Sequence, residues 1–291
     1  MKNPVVFFLA LLASHVSAAG TPPAPANPEI FLPGVVSLEN AFEFSITFTP
    51  DLKKLFFTRR GTGEHPGNTI YQSFFESGQW LQPEVAPFSG SYMDFEPFVS
   101  LDGKTLYFGS SRPLISGEIR RLREWMIDLS APEEKPRPMP TPFEDIFVMY
   151  VSISKSGNVY FTGKENDRQF IYVSRYKNGL YRAPVKLPGS INSSGWIAHP
   201  FVSPDEDFLI YDAKGRKDGR GDADLYISFR SNNGKWGESL NLGSLINTAK
   251  GEMCASLSPD GNLLFFSRYE ENGNGDIYYM NARFIDQIRK H

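Results

Sequence analysis

At 291 residues, with 41% hydrophobic and 22% charged residues, the chain has the composition of an ordinary globular protein. A formal net charge of −3 excludes the basic surface that nucleic acid binding needs, and no block of like charge forms a tail. The single cysteine, Cys254, excludes an intramolecular disulfide, so the fold must rest on its core.

In chain order, "MKNPVVFFLALLASHVSAAG" comes first. A lysine precedes an apolar run from Val5 to Ala13, and small residues follow at Val16-Ser17-Ala18. This predicts a secretory signal peptide over 1–18, too short to span a bilayer. A flexible Pro-rich leader is expected over 19–27, and one domain over 28–291. The mature chain is expected to be exported, periplasmic or secreted, soluble and monomeric.

Beyond the leader the chain repeats itself. A turn and an apolar strand recur as "TPDLKKLFFT" from Thr49, "SLDGKTLYFGS" from Ser100, "SKSGNVYFT" from Ser154, "SPDEDFLIYD" from Ser203 and "SPDGNLLFFS" from Ser258. The spacing is about 50 residues, the period of propeller blades. Short alternating strands precede each turn: "EFSITF", "EPFV", "MYVSI", "HPFV" and "MCASL". A third strand follows in "TIYQS", "EWMI", "FIYVS", "DLYIS" and "DIYYM", then a glycine turn and an aromatic at Trp80, Tyr181 and Trp236. Period-two alternation rich in Phe, Tyr, Val and Ile marks these as strands. "GEIRRLREWMI" after Gly117 is the one stretch with a hint of helix. The last unit lacks its outer strand, and "PEIFLPGVVS" from Pro28 resembles the outer strand "APVKLPGSI" of the third. The expected fold is all-β: a five-bladed β-propeller of four-stranded antiparallel blades, closed by the N-terminal strand.

Ser258-Pro259-Asp260-Gly261, Leu264, Phe266 and Asp276-Ile277-Tyr278 resemble the WD40-like propeller repeat (PD40) found in the TolB propeller and other exported bacterial proteins. Asp94-Phe95-Glu96-Pro97 before Ser100-Leu101-Asp102-Gly103 matches too. Leu52 and Ser156 depart from the pattern. The resemblance implies a propeller over nearly the whole mature chain. It does not carry over a TolB role, because the TolB N-terminal domain is missing.

The turns themselves are structural, since proline, aspartate and glycine each do a turn's work. Chemistry is sought where the copies differ. Six residues before the turn position held by Asp51, Asp102, Ser156, Asp205 and Asp260 stand Ser45, Glu96, Tyr150, His199 and Cys254; eight before stand Glu43, Asp94, Val148, Ile197 and Glu252. Glu43, Asp94, Glu96 and Glu252 form an expected acidic set at the ring mouth, with His199 near it. The set suits a divalent cation, or a general acid and base. A hydrolase needs two carboxyl groups about 5–10 Å apart in an open pocket, so Glu96 and Glu252 found buried, or tied to Arg60 and Arg268, count against it. Cations follow the second strand at Arg59, Arg60, Arg112, Lys164, Lys214 and Arg268, where they either pair with the carboxylates or grip an anionic glycan. Trp196 is a candidate sugar-stacking ring. Cys254 reads as a buried small residue, with no basic neighbour along the chain. No catalytic motif, cofactor or metal site is assigned.

The first reading is therefore a non-catalytic exported module binding a protein or carbohydrate ligand at the ring face. The second is a glycoside hydrolase or polysaccharide lyase with carboxylates at the mouth, and a third is an envelope scaffold.

Overall fold

The computed structural model describes residues 22–62, 65–115, 121–131, 134–143 and 146–289. The expected signal peptide lies outside the described residues. In the leader, the Pro25 carbonyl accepts a bond from the Asn281 amide at 2.8 Å, which ties that stretch to the end of the last strand.

The chain is all-β apart from one short helix. β1 (Glu29–Ile30) comes first. β2 (Phe42–Phe48), β3 (Lys54–Thr62) and β4 (His65–Glu76) follow, with a hairpin strand β5 (Gln79–Trp80) and an outer strand β6 (Glu84–Val85) both paired to β4. The second set is β7 (Asp94–Val99), β8 (Thr105–Ser110), β9 (Arg123–Asp128) and β10 (Arg137–Pro138). The third is β11 (Met149–Ile153), β12 (Val159–Glu165) and β13 (Arg168–Ser174), then a hairpin of β14 (Tyr176–Lys177) and β15 (Leu180–Tyr181), and outer β16 (Val185–Lys186). The fourth is β17 (Trp196–Val202), β18 (Phe208–Lys214), β19 (Asp224–Phe229) and β20 (Leu240–Asn241). The last is β21 (Gly251–Leu257), β22 (Leu263–Tyr269) and β23 (Gly275–Asn281). β1 pairs antiparallel with β23, Glu29 opposite Tyr279 and Ile30 opposite Tyr278, and so supplies the outer strand of the last set.

Strands form here because aromatic and β-branched residues alternate on pleated sheets whose two faces are both covered. The apolar clusters each join neighbouring sets. Phe56, Val99 and Phe108 join the first to the second, Val151, Phe161 and Tyr107 the second to the third, and Tyr160, Ile197 and Tyr211 the third to the fourth. Ile210, Leu225 and Phe266 join the fourth to the last, and Phe31, Phe48 and Phe265 the last to the first. The inner strands touch in the order β2, β7, β11, β17, β21 and back to β2.

The turns behave as their chemistry requires. The Ser258 hydroxyl donates to Asp260 at 2.5 Å, and Asp260 accepts from the Asn262 amide at 3.2 Å. Gly261 supplies φ of +73°, whereas Leu52 and Glu206 hold +57° without that freedom.

The stretch with a hint of helix contains strand β9 instead; residues 116–120 lie outside the described residues. The helix stands elsewhere, as α1 (Phe284–Arg289) at the C-terminal end, with Ile285 buried and Arg289 bonded to Asp207 at 2.7 Å. Among the described residues no helix is long and apolar enough to cross a membrane.

Candidate functional site

Every inner strand carries a bulge at the same place. The ladder shifts register between Phe44 and Thr47, Phe95 and Phe98, Met149 and Val151, Ala198 and Phe201, and Met253 and Ser256. The residue at each bulge is left-handed: Ser45, Glu96, Tyr150, His199 and Cys254, with φ between +50° and +57°. These are the residues six before the turn position. They lie inside the innermost strands. Non-glycine residues in this region carry a strain of about 1–2 kcal/mol each. The bulge re-aims side chains, and here it brings several to one buried point.

The bulge amides are capped by the neighbouring set. The Glu96 amide donates to Thr58 Oγ1 at 2.8 Å, the His199 amide to Thr162 Oγ1 at 2.9 Å, and the Cys254 amide to Asp212 Oδ1 at 3.1 Å. Asp212 thus stands where the other sets place threonine, serine or glycine. It keeps the capping job and adds another, because its two carboxylate oxygens sit 2.8 and 3.0 Å from His199 Nδ1.

On the other side of that ring, Nε2 lies 3.3 Å from Glu96 Oε1. Cys254 closes the group: the ligand atoms of Glu96, His199 and Cys254 all lie within 4.8 Å of one another, and all three residues are buried. The Tyr150 ring packs edge-on to His199, and its hydroxyl donates to the Ala255 carbonyl at 2.9 Å.

Glu124, on β9, faces Gly109 across the ladder. The other sets hold Ile70, Ile171, Leu225 and Ile277 at that position. Its two carboxyl oxygens, and Glu96 Oε2, are buried with no hydrogen-bond partner among the described residues.

Burial and charge set the protonation states. Burial, reinforced by the charge of Glu96, raises Glu124 well above the ordinary carboxylate range, so it is a neutral acid. Burial alone would lower His199. The charges of Asp212 and Glu96 outweigh it and hold the ring well above its ordinary value. Burial pushes the Cys254 thiol up to about 12, so it is no free nucleophile. The expectation that Cys254 has no basic neighbour holds along the chain and fails in space, where His199 is beside it.

The other sequence candidates separate into two groups. Glu43, Asp94 and Glu252 are each closed by an arginine from the second strand: Arg59 to Glu43 at 2.6 Å, Arg112 to Asp94 at 2.8 Å and Arg268 to Glu252 at 2.7 Å. Each guanidinium also donates to a carbonyl of the incoming loop, at Val36, Phe88 and Ile246, all at 2.9 Å. These are buried latches. Neither these carboxylates nor Arg112 and Arg268 can serve as open acid, base or anion fork, and Glu96 is buried too, which corrects the expected mouth site and rules out a hydrolase working through an open Glu96–Glu252 pair. For Glu43, burial outweighs the arginine and raises the carboxyl to about 7.

The second group lines a rim. The Trp196 ring centre lies 6.0 Å from that of His199, and the Lys214 ammonium sits 4.9 Å over Trp196 and 5.9 Å from Tyr269. The Tyr269 hydroxyl donates to Asp222 at 2.5 Å. Arg60 is exposed, 4.9 Å over Phe42 and bonded to Asn68. A cleft of about 640 Å³ opens beside Tyr269, Asp222, Lys250 and Glu270. Gly251 makes room for it, since a Cβ there would stand 2.1 Å from the Tyr269 ring.

Sequence reasoning thus found Glu96, His199 and Trp196 and missed Asp212 and Glu124. The signals were there: "FLIYD" ends in aspartate where "KLFFT", "NVYFT" and "LLFFS" end in hydroxyls, and "EWMI" opens on a charge at an isoleucine position.

No family model and no curated protein matches the chain. Solved structures do. Native Bacillus subtilis arabinanase Arb43A is 12% identical with a TM-score of 0.49, over 79% of this chain and 90% of its own. A Mycobacterium tuberculosis puromycin-hydrolyzing peptidase is 14% identical with a TM-score of 0.45, over 78% of this chain and 34% of its own. The K499G mutant of the Streptococcus pneumoniae sialidase NanB is 12% identical with a TM-score of 0.44, over 76% of this chain and 36% of its own. The chain spans about a third of the peptidase and of the sialidase. These are propeller-like folds, and at such identity the likeness concerns fold. The expectation of a non-catalytic module finds no support here: the structures of similar fold are in the main named as hydrolytic enzymes, which is said of those proteins and not of this chain.

Proposed function

We propose that the chain is an exported hydrolytic enzyme acting on a carbohydrate, built over 28–291 as a closed five-bladed propeller of the PD40 type. Ring closure is supported by the apolar cluster joining the last set to the first and by the pairing of β1 with β23.

The observation that carries the activity is the set of unpartnered carboxyl oxygens on Glu96 and Glu124, buried beside the His199–Asp212 pair. Leaving a buried polar atom without a partner costs about 1–3 kcal/mol. Such atoms call for a partner that a water, an ion, a ligand or a catalytic role can supply, and this reading takes the last. Hydrolysis of a glycosidic bond needs a proton for the leaving oxygen and an activated water. Glu124 carries the proton in this reading. The Glu96–His199–Asp212 group polarises the water. Leu122, Met149, Met253 and Tyr269, partly buried, pack against the cluster of Phe42, Phe44, Phe95, Tyr150 and Cys254. Trp196 and Tyr269 offer ring faces to a sugar, and Lys214 and Arg60 favour an acidic one.

The test is release of reducing ends from neutral and uronate-bearing oligosaccharides by the mature chain. Glu124→Gln is expected to lower the rate about a hundredfold. It should leave the unfolding midpoint within a few degrees of wild type. No release across the panel, or full activity in Glu124→Gln, defeats the reading. Unsaturated products formed without uptake of water would move it to a lyase.

A further inference from the structure

We propose that Glu96, His199 and Cys254 bind a divalent metal ion of the zinc class at the buried point where the bulged inner strands meet, with Asp212 orienting the histidine. The inference deepens the hydrolytic reading and rests on it only for what the metal does.

The donor set is one sulfur, one nitrogen and one oxygen, all buried, with donor atoms within 4.8 Å of one another. Thiolate, imidazole and carboxylate together are a borderline-soft set that suits zinc or cobalt rather than calcium or magnesium. Spacing agrees. Two ligands bonded at about 2.0–2.1 Å on one tetrahedral ion stand about 3.3 Å apart. His199 Nε2 and Glu96 Oε1 stand 3.3 Å apart.

The surroundings agree as well. A metal-binding histidine usually gives its other ring nitrogen to a carboxylate, and Asp212 takes that place at 2.8 Å. Left-handed backbone at all three ligand positions aims the side chains inward. Three protein ligands leave a fourth position for water, the arrangement of catalytic rather than structural sites. On binding, the Cys254 S–H bond breaks, sulfur bonds the metal, and the thiol proton and the Nε2 proton pass to solvent. The ligand charges of Cys254 and Glu96 then balance the ion.

The test uses the tag-free mature chain, stripped with chelator, loaded with zinc or cobalt and dialysed. Elemental analysis is expected to give about one metal per chain, and the cobalt form a thiolate-to-metal charge-transfer absorption with tetrahedral d–d bands. Cys254→Ala should lose that absorption. Asp212→Asn, which keeps all three ligands, should weaken affinity about 10–100-fold. Circular dichroism checks that each variant folds. Absence of bound metal in the folded wild type overturns the proposal, as does a cobalt spectrum unchanged in Cys254→Ala. Metal bound without hydrolysis defeats only the enzyme reading. Hydrolysis by a chain that takes up no metal defeats only this one.

Discussion

Arg112→Ala should lower the free energy of unfolding by about 3–5 kcal/mol, the cost of leaving a buried charge without its partner. Asp94 is fully buried and accepts from Ser89, Ser110 and Arg112 at 3.0, 2.5 and 2.8 Å. The same guanidinium holds the Phe88 carbonyl and packs on Phe108 and Trp125, so the truncation also loosens the loop that enters the second set. Burial already raises Asp94 above its ordinary value, ahead of the lowering by Arg112. Its native state therefore binds a proton more tightly than the unfolded chain, and its share of stability falls as pH rises. Removing Arg112 steepens that fall. The cost should be larger at pH 8 than at pH 5, and urea unfolding at the two values reads it directly. The double variant Arg112→Met/Asp94→Leu should recover most of the loss, because an apolar pair needs no desolvation. A cost under about 1 kcal/mol, or a double variant as weak as the single, would show that the pair is not a buried latch. Arg268→Ala tests the same geometry in the last set.

These latches show how far the sequence could be read. The ruler laid on the turn aspartates located Glu43, Asp94 and Glu252 eight residues before it, and cations just after the second strand. It left open whether they pair or stay free, because that depends on which residues face each other across β2–β3, β7–β8 and β21–β22. Glu43 stands opposite Arg59 and Glu252 opposite Arg268. One residue along, Arg60 faces out. Strand order and repeat length were legible because turn chemistry and period-two alternation are local. The buried cluster was half legible. Glu96 and His199 stood out by position, whereas Glu124 reaches it from the third strand of the set that holds Glu96, and Asp212 from the second strand of the set that holds His199. Their meaning depends on a bulge that the alternation pattern does not reveal. The C-terminal helix, too short for a periodic signal, was not legible at all.

Glu206→Gln is expected to destabilise the protein by about 2–3 kcal/mol at pH 7, with the difference vanishing as pH falls toward 2. Glu206 occupies the turn position that Gly103 and Gly261 fill elsewhere, at φ +57°. Strain of that kind persists when neighbours over-determine it. Here the carboxylate accepts from Ser154, Ser156, Asn158 and Tyr160 of the third set and from Arg230 of the fourth, at 2.5–2.8 Å. Burial would raise its pKa. The bonds from Ser156, Ser154, Tyr160 and Asn158 outweigh burial and hold it at about 2. A carboxyl depressed in the folded state stabilises the fold above its unfolded value, and that stability is lost as pH falls through the folded one. The window runs from about 4.5 down to about 2. A tenfold difference in proton affinity between the folded and unfolded chain is worth about 1.4 kcal/mol, which sets the size of the effect. Chemical unfolding followed by circular dichroism from pH 7 to pH 2 measures it. Glu206→Gly separates conformation from charge: glycine fits the left-handed turn without strain yet removes every bond. If strain relief dominated, Glu206→Gly would be the more stable of the two variants. If the bonds to Glu206 dominate, Glu206→Gly is no better than Glu206→Gln and equally flat across the acid range. The fourth set thus departs from the turn pattern at the residue that fastens it to the third.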